Sequence, residues 1–143
     1  MKELNEFEQK ALERLLKRNP HPLEEDQLKE FLRQHLESQN WQVEVRMGKT
    51  HGIDIEARKG AARWIIEAKG WGGGSEQQQG NYFWAAIAEV LQRMTFVDAK
   101  YSLAFPDIPR YQGLWHRFPS LAKRRTGMWC LFVNKEGGVT ESQ

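Results

Sequence analysis

Apolar residues recur at helical spacing twice in the first 40 positions. From about residue 4 to residue 17 they return every three or four positions, which predicts an amphipathic helix that ends before Asn19-Pro20. A second helix follows this breaker and should close at Ser38 to Asn40. Its inner face is formed by Leu28, Phe31, Leu32 and Leu36.

Alternating apolar and polar residues then predict three strands. The segments are WQVEVRM, HGIDIEA and RWIIEAKG, and Lys59-Gly60 marks the turn between the last two. The stretch from Gly70 to Gly80 is rich in glycine and glutamine, which is typical of a mobile loop. We expect this loop to lead into a helix from about Asn81 to Met94.

The remaining segments predict two more strands and short helices. KYSLAF forms a strand, PDIP a turn, RYQGLWHRF and SLAKRR irregular or short helical segments, and GMWCLFV a last strand before a polar tail. The resulting order predicts an α/β fold, in which a mixed central sheet with a three-strand meander is flanked by helices. We expect one domain over residues 1–143, with residues 4–17 as a helical extension before its core.

Composition favours an ordinary globular protein. The 143 residues are 40% hydrophobic and 28% charged, and no apolar run approaches the length of a membrane span or a signal peptide. We therefore expect a soluble cytoplasmic protein without a membrane partner. The single cysteine, Cys130, lies in the apolar run MWCLFV, which excludes an internal disulfide and predicts a buried strand thiol.

The net charge of +2 conceals a basic excess beyond residue 40. The densest basic run is Lys123-Arg124-Arg125, which would contact phosphates if folding gathered the three side chains on one face. A solvated helix end is an equal alternative, because cations near a helix C-terminus suit its dipole without any ligand.

The chemistry of the chain is concentrated in the second and third predicted strands. If their turn is centred between Gly60 and the next residue, Asp54 lies directly opposite Glu67, and Lys69 shares the same face. Directly opposed carboxylates destabilise a sheet, and a divalent cation would remove that penalty. Oxygen ligands suit Mg²⁺ or Mn²⁺, and Lys69 would orient the attacking water, so phosphodiester hydrolysis is the expected reaction.

These residues resemble the motif of the PD-(D/E)XK nucleases. The match consists of Gly52-Ile53-Asp54 and, after a spacer of 12 residues, Glu67-Ala68-Lys69, with Ile53 in place of the family's proline. The resemblance implies a restriction-endonuclease-like core in the order αβββαβ. It also implies that Asp54, Glu67 and the backbone carbonyl of Ala68 bind Mg²⁺ or Mn²⁺, with Lys69 assisting the water. A DNA endonuclease or exonuclease of restriction, recombination or defence is the implied function.

Two further elements of the family have candidates here. Many members carry a helix glutamate that completes the metal shell, and both Glu25 and Glu30 are candidates, although either would also suit a solvated helix. Gln78 and Tyr82 resemble a Q-x-x-x-Y element that borders the active site in some branches and contacts DNA, with a plain helix start as the alternative.

The role of Trp71, the function and the oligomeric state remain open at the level of sequence. Trp71 would either stack on a base or pack against the sheet edge, and His51 is assigned to the surface rather than to the site. The main alternative function is a catalytically silent nuclease fold that binds nucleic acid or a partner protein. A homodimer is expected on grounds of symmetry alone.

Overall fold

A computed structural model describes residues 5–9, 23–48 and 52–143. Most of the helix expected over residues 4–17 lies outside the described residues, although residues 6–9 are helical. His51 also lies outside them, so its assignment to the surface stays a prediction.

The described residues contain helices, a 3₁₀ turn and strands in an order close to the expected one. The helices are α1 (Glu25–Ser38), α2 (Glu76–Gln92), α3 (Pro109–Arg117) and α4 (Ser120–Thr126), with the 3₁₀ turn at Gly72–Gly74. The strands are β1 (Gln42–Val45), β2 (Ile55–Lys59), β3 (Ala62–Ala68), β4 (Ala99–Pro106), β5 (Trp129–Val133) and β6 (Val139–Ser142).

These strands form one six-stranded mixed sheet in the order β1-β2-β3-β4-β5-β6. The pairs β1–β2, β2–β3 and β5–β6 are antiparallel, whereas β3–β4 and β4–β5 are parallel. Because α2 connects the parallel strands β3 and β4, it packs back across one face of the sheet. The predicted α/β class, with a three-strand meander and flanking helices, is confirmed.

Each face of the sheet carries its own hydrophobic core. The helix α1 buries Leu28, Leu32 and Leu36 against Ile55, Ala57 and Ile66 on one face. On the other face, α2 and α3 bury Phe83, Val90, Tyr111 and Trp115 against Ile65 and Leu103. Cys130 is fully buried in this second core, as predicted, because β5 is an interior strand. Residues that follow each other along β3 therefore face different helices.

Two expectations about element boundaries are wrong. The helix α2 begins at Glu76, not at Asn81, because the hydroxyl of Ser75 caps it by accepting a hydrogen bond from the amide of Gln78 at 3.3 Å. The polar tail contains β6, which pairs with β5 through Val133 and Val139. An edge strand of four residues needs little apolar surface, so composition does not reveal it.

Gly70, just after β3, packs closely against the start of α1. An added Cβ at this position would lie 2.5 Å from the amide nitrogen of Glu25, and the carbonyl of Gly70 accepts a 2.8 Å hydrogen bond from the hydroxyl of Tyr111. Since Gly70 follows Lys69 directly, its close contact holds the end of β3 against both helical layers.

Replacing Gly70 with alanine is expected to destabilise the fold. The neighbouring atoms are backbone and cannot swing aside, so overpacking should lower the free energy of unfolding by about 1–3 kcal/mol. Urea denaturation of Gly70→Ala and wild type measures this difference.

Gly113→Ala is the matched control, because Gly113 lies inside α3 and an added Cβ would meet only the flexible guanidinium of Arg117. It should be neutral or raise stability by up to about 1 kcal/mol. Equal stability of Gly70→Ala and wild type would show that the contact with α1 is not tight.

Candidate metal centre

The β2–β3 hairpin has the register that the sequence predicts. Ile55 pairs with Ile66 and Lys59 pairs with Ala62 across a turn at Gly60, whose φ of 59° suits glycine. Extending this register by one residue places Asp54 opposite Glu67. The two carboxylates thus lie together where β2 begins and β3 ends.

Glu67 lies almost completely inside the protein. It follows Ile65 by two residues on β3, so its side chain points to the face that α2 covers, and its exposed fraction is 1%. Asp54 is 13% exposed, and its Oδ2 accepts a 2.9 Å hydrogen bond from the amide of Ala68. This bond ties Asp54 to β3 beside Glu67.

A third carboxylate joins them from α2. Oxygen atoms of Asp54, Glu67 and Glu89 all lie within 4.8 Å of one another, close enough to share one metal ion. This donor set contains only oxygen, which fits Mg²⁺ or Mn²⁺ better than a soft transition metal. The residues present therefore fit the cation that the motif implies.

Each of these carboxylates also contacts a cation of the chain. Arg93 Nε lies 3.3 Å from an oxygen of Glu67, and Lys69 Nζ lies 3.1 Å from an oxygen of Glu89. Lys29 Nζ lies 3.5 Å from an oxygen of Asp54. The pairing offsets much of the repulsion that three close carboxylates would otherwise create.

Lys29 is the buried member of this set, with an exposed fraction of 1%. Its Nζ donates a 2.7 Å hydrogen bond to the carbonyl of Arg46 and lies 3.0 Å from Glu25. Burial lowers the pKa of Lys29, but the charges and hydrogen bonds of Asp54 and Glu25 raise it further, so the net shift is upward. Lys29 consequently stays charged and holds Asp54 in place.

The pKa of Glu67 is raised to about 8. Burial is the largest cause, followed by the charge of Asp54 and a hydrogen bond with it, while Arg93 acts in the opposite direction. At neutral pH and without metal, Glu67 is therefore mostly protonated, and its carboxyl group is hydrogen-bonded to Asp54.

The two candidate helix glutamates lie outside the cluster of three carboxylates. Glu25 reaches Asp54 only through Lys29, and Glu30 pairs with Arg33 at 3.5 Å at the surface. Sequence reasoning missed Glu89 and Arg93, although both follow Tyr82 at helical spacing and so share its face of α2. It also missed Lys29, which lies three residues before the buried Leu32.

Tyr82 lies beside the site, with Lys69 Nζ 5.9 Å from the centre of its ring. Gln78 lies near the 3₁₀ turn, where an added Cβ on Gly72 would lie 3.2 Å from the Tyr82 ring and 3.4 Å from the Gln78 side chain. The structure therefore places Tyr82 near Lys69 and Gln78 near Gly72, and contact of either residue with DNA stays a prediction.

The basic run of α4 is divided between the interior and the surface. Arg124 and Arg125 are exposed, but Lys123 is only 8% exposed, with its Nζ 4.3 Å from the centre of the Trp115 ring. The three side chains do not share one face, because successive residues of a helix point in different directions.

Trp71 packs partly buried against the second core. Its backbone amide donates to the carbonyl of Leu23 at 3.0 Å, and its own carbonyl accepts a 2.8 Å hydrogen bond from Gln79. Of the two alternatives for this residue, the structure shows packing.

Comparison with known proteins yields structural matches alone. No protein-family model matches the chain. A search of curated proteins finds no match either. An XisH family protein from Nostoc punctiforme PCC 73102 superposes with a TM-score of 0.57 at 15% identity, covering 81% of this chain and 98% of its own. An FdxN element excision controlling factor protein from Anabaena variabilis gives 0.56 at 18% identity, covering 79% and 95%.

Identities this low show a shared fold and nothing finer. Within the described ranges, the structure contains no helix that is both long and apolar enough to cross a membrane.

The raised pKa of Glu67 predicts that stability falls as pH rises. Between the pKa of an unfolded glutamate, about 4.3, and about 8, the folded protein binds the proton that the unfolded chain has lost. In EDTA, the contribution of Glu67 to the free energy of unfolding should therefore decrease by up to about 1.4 kcal/mol per pH unit over this window. Urea denaturation at several pH values between 5 and 8.5 measures the slope.

Glu67→Gln cannot titrate and should lack this contribution, so its stability relative to wild type should increase with pH. Glu30→Gln, which changes an exposed carboxylate paired with Arg33, should keep the wild-type slope. Parallel pH profiles for wild type and Glu67→Gln would contradict the assignment.

Proposed function

We propose that this protein is a divalent-metal-dependent nuclease that hydrolyses phosphodiester bonds in DNA. The observation that carries the proposal is the meeting of Asp54, Glu67 and Glu89 within 4.8 Å, beside Lys69. A chain that needed only a stable sheet would gain nothing from burying opposed carboxylates. A bound catalytic cation would explain why the carboxylates are buried together despite their repulsion.

In this proposal, Asp54 and Glu67 bind Mg²⁺ or Mn²⁺, and Glu89 supplies a further oxygen. The Ala68 carbonyl is a fourth candidate ligand, since the amide of the same residue already contacts Asp54. Glu25 and Glu30 are the less favoured candidates, because Lys29 separates the first from Asp54 and Arg33 pairs with the second. When bound, the cation would activate water and stabilise negative charge on the phosphate.

Lys69 is the proposed catalytic lysine. Its side chain is 18% exposed and its ammonium is held 3.1 Å from Glu89, so it lies at the edge of the carboxylate cluster with access to solvent. From there the ammonium can donate a hydrogen bond that orients an attacking water, and it can offset charge on the phosphate oxygens.

DNA is the proposed substrate and partner for three reasons. Tyr82 lies beside Lys69, and Gln78 lies one helical turn before Tyr82, where both can contact a strand that enters the site. Arg124 and Arg125 offer exposed cations for phosphates. One structural neighbour is named as a factor that controls excision of an element, which is compatible with a role in restriction, recombination or defence.

A catalytically silent nuclease fold is the second candidate, and one observation favours it. Asp54, Glu67 and Glu89 are each engaged by a cation of the chain, namely Lys29, Arg93 and Lys69. Such a neutralised cluster would be stable without metal. The protein would then bind nucleic acid or another protein without cutting.

Cleavage assays with matched variants test the proposal. Wild type should cut plasmid, linear or single-stranded DNA with Mg²⁺ or Mn²⁺, and EDTA should abolish the reaction. Asp54→Asn, Glu67→Gln and Lys69→Met should each lower the rate about 100-fold or more, since each removes a group that acts directly on the reaction. RNA in the same assay tests the choice of substrate.

Mn²⁺ titration calorimetry separates the roles of these residues. Asp54→Asn and Glu67→Gln should keep their circular dichroism spectra and lose most of their Mn²⁺ affinity, whereas Lys69→Met should still bind Mn²⁺. Glu30→Gln and Lys59→Met, which change exposed residues away from the cluster, are the controls and should behave as wild type.

Binding of Mn²⁺ without cleavage of any substrate would favour the silent candidate. Cleavage that persists in Glu67→Gln would contradict the proposed site altogether.

A further inference from the structure

A cavity of about 520 Å³ lies between α3, α4 and the β5–β6 edge of the sheet. Its lining includes Trp115, His116, Lys123, Phe132 and Ser142, and none of the carboxylates of the metal centre. The volume is within the range of small-molecule sites, which runs from roughly 300 to 1,000 Å³. Nothing in the proposed nuclease reaction uses this cavity.

Lys123 brings a positive charge to the cavity wall. Its exposed fraction is 8%, and no ion pair of the described residues includes it. The ring of Trp115, 4.3 Å from Nζ, is the neighbour that stabilises the ammonium. Burial also lowers the pKa of Lys123.

The other polar side chains of the wall can donate hydrogen bonds. Ser142 and Thr140 add hydroxyls, His116 adds an imidazole, and Gln112 and Gln143 add amides. Among the described residues, no aspartate or glutamate side chain belongs to the lining. A wall with one lysine, several donors and no acidic side chain favours an anion.

Apolar surface in the same cavity comes from Phe132, which is 6% exposed. The indole of Trp115 is only 2% exposed, because it stacks on Phe118 with ring centres 5.7 Å apart and lies under the ammonium of Lys123. Trp115 therefore holds Lys123 in place, and the apolar part of a bound molecule would meet Phe132.

We propose that this cavity binds a small organic oxyanion, its charge held by Lys123 and its apolar part lying against Phe132. The site is separate from the metal centre, and its occupation does not depend on nuclease activity. Carboxylates and phosphate monoesters share the required chemistry, because both present oxygen acceptors to an ammonium and to neutral donors.

The first test uses 8-anilinonaphthalene-1-sulfonate, a fused-ring anion whose fluorescence rises on binding. Wild type should bind it saturably with one site per chain. Lys123→Gln should bind at least about tenfold more weakly, because the cation is lost. Lys135→Gln is the matched control, since it removes an exposed cation that does not line this cavity. It should bind as wild type does.

Nuclear magnetic resonance locates the bound probe in the unmodified protein. The indole ¹⁵N–¹H signal of Trp115, assigned by its loss in Trp115→Phe, should shift with the same midpoint as the fluorescence. This readout decides the question even if Lys123→Gln fails to fold, a defect that circular dichroism would reveal.

Competition then distinguishes the two sources of the anion. Displacement of the probe by phenyl phosphate alone would indicate a phosphate ester, displacement by benzoate alone a carboxylate, and displacement by both a general oxyanion site. The proposal would be overturned by absent or unsaturable probe binding, by equal affinity in a folded Lys123→Gln, by an unmoved Trp115 signal, or by displacement with neither acid.

Discussion

The repulsion between Asp54 and Glu67 is the constraint from which the rest of the site follows. The hairpin register places the two carboxylates opposite each other, and burial under α2 removes the water that would screen them. Burial and then the charge of Asp54 raise the pKa of Glu67 to about 8, and the guanidinium of Arg93 lies 3.3 Å from its carboxylate. Without metal, a proton and a guanidinium therefore offset the negative charge of the carboxylates, which a divalent cation would offset more strongly.

The helices on the two faces of the sheet contribute to this arrangement in different ways. From α1, the buried Lys29 holds Asp54 and the carbonyl of Arg46 together, which positions the start of β2. From α2, Glu89 extends the carboxylate cluster and holds Lys69 beside it. Because Gly70 packs directly on the first turn of α1, the end of β3 is held between both layers. The site therefore depends on the sheet and on the helices of both its faces, not on the β2–β3 hairpin alone.

The sequence predicts local geometry better than it predicts how helices dock. The pairing of Asp54 with Glu67 could be derived because strand alternation and a tight turn at Gly60 determine the register. Glu89 and Arg93 could not be assigned, since their place depends on how α2 crosses the sheet. The segment from Gly70 to Gly80 is rich in glycine and glutamine, which predicts a loop and not the first turn of α2. Ser75 and Gln78 nevertheless have the spacing of a capping box. Burial of Lys123 likewise depends on the rotation of α4 about its axis.

Anomalous diffraction from crystals soaked in Mn²⁺ would show whether the three carboxylates bind a cation. We expect a single peak among the oxygens of Asp54, Glu67 and Glu89, at distances near the roughly 2.1 Å typical of Mg²⁺ sites. The same soak of Glu67→Gln crystals should show no peak. Absence of any peak in wild type at saturating Mn²⁺, with Arg93 still in contact with Glu67, would contradict the claim that these carboxylates form a metal centre.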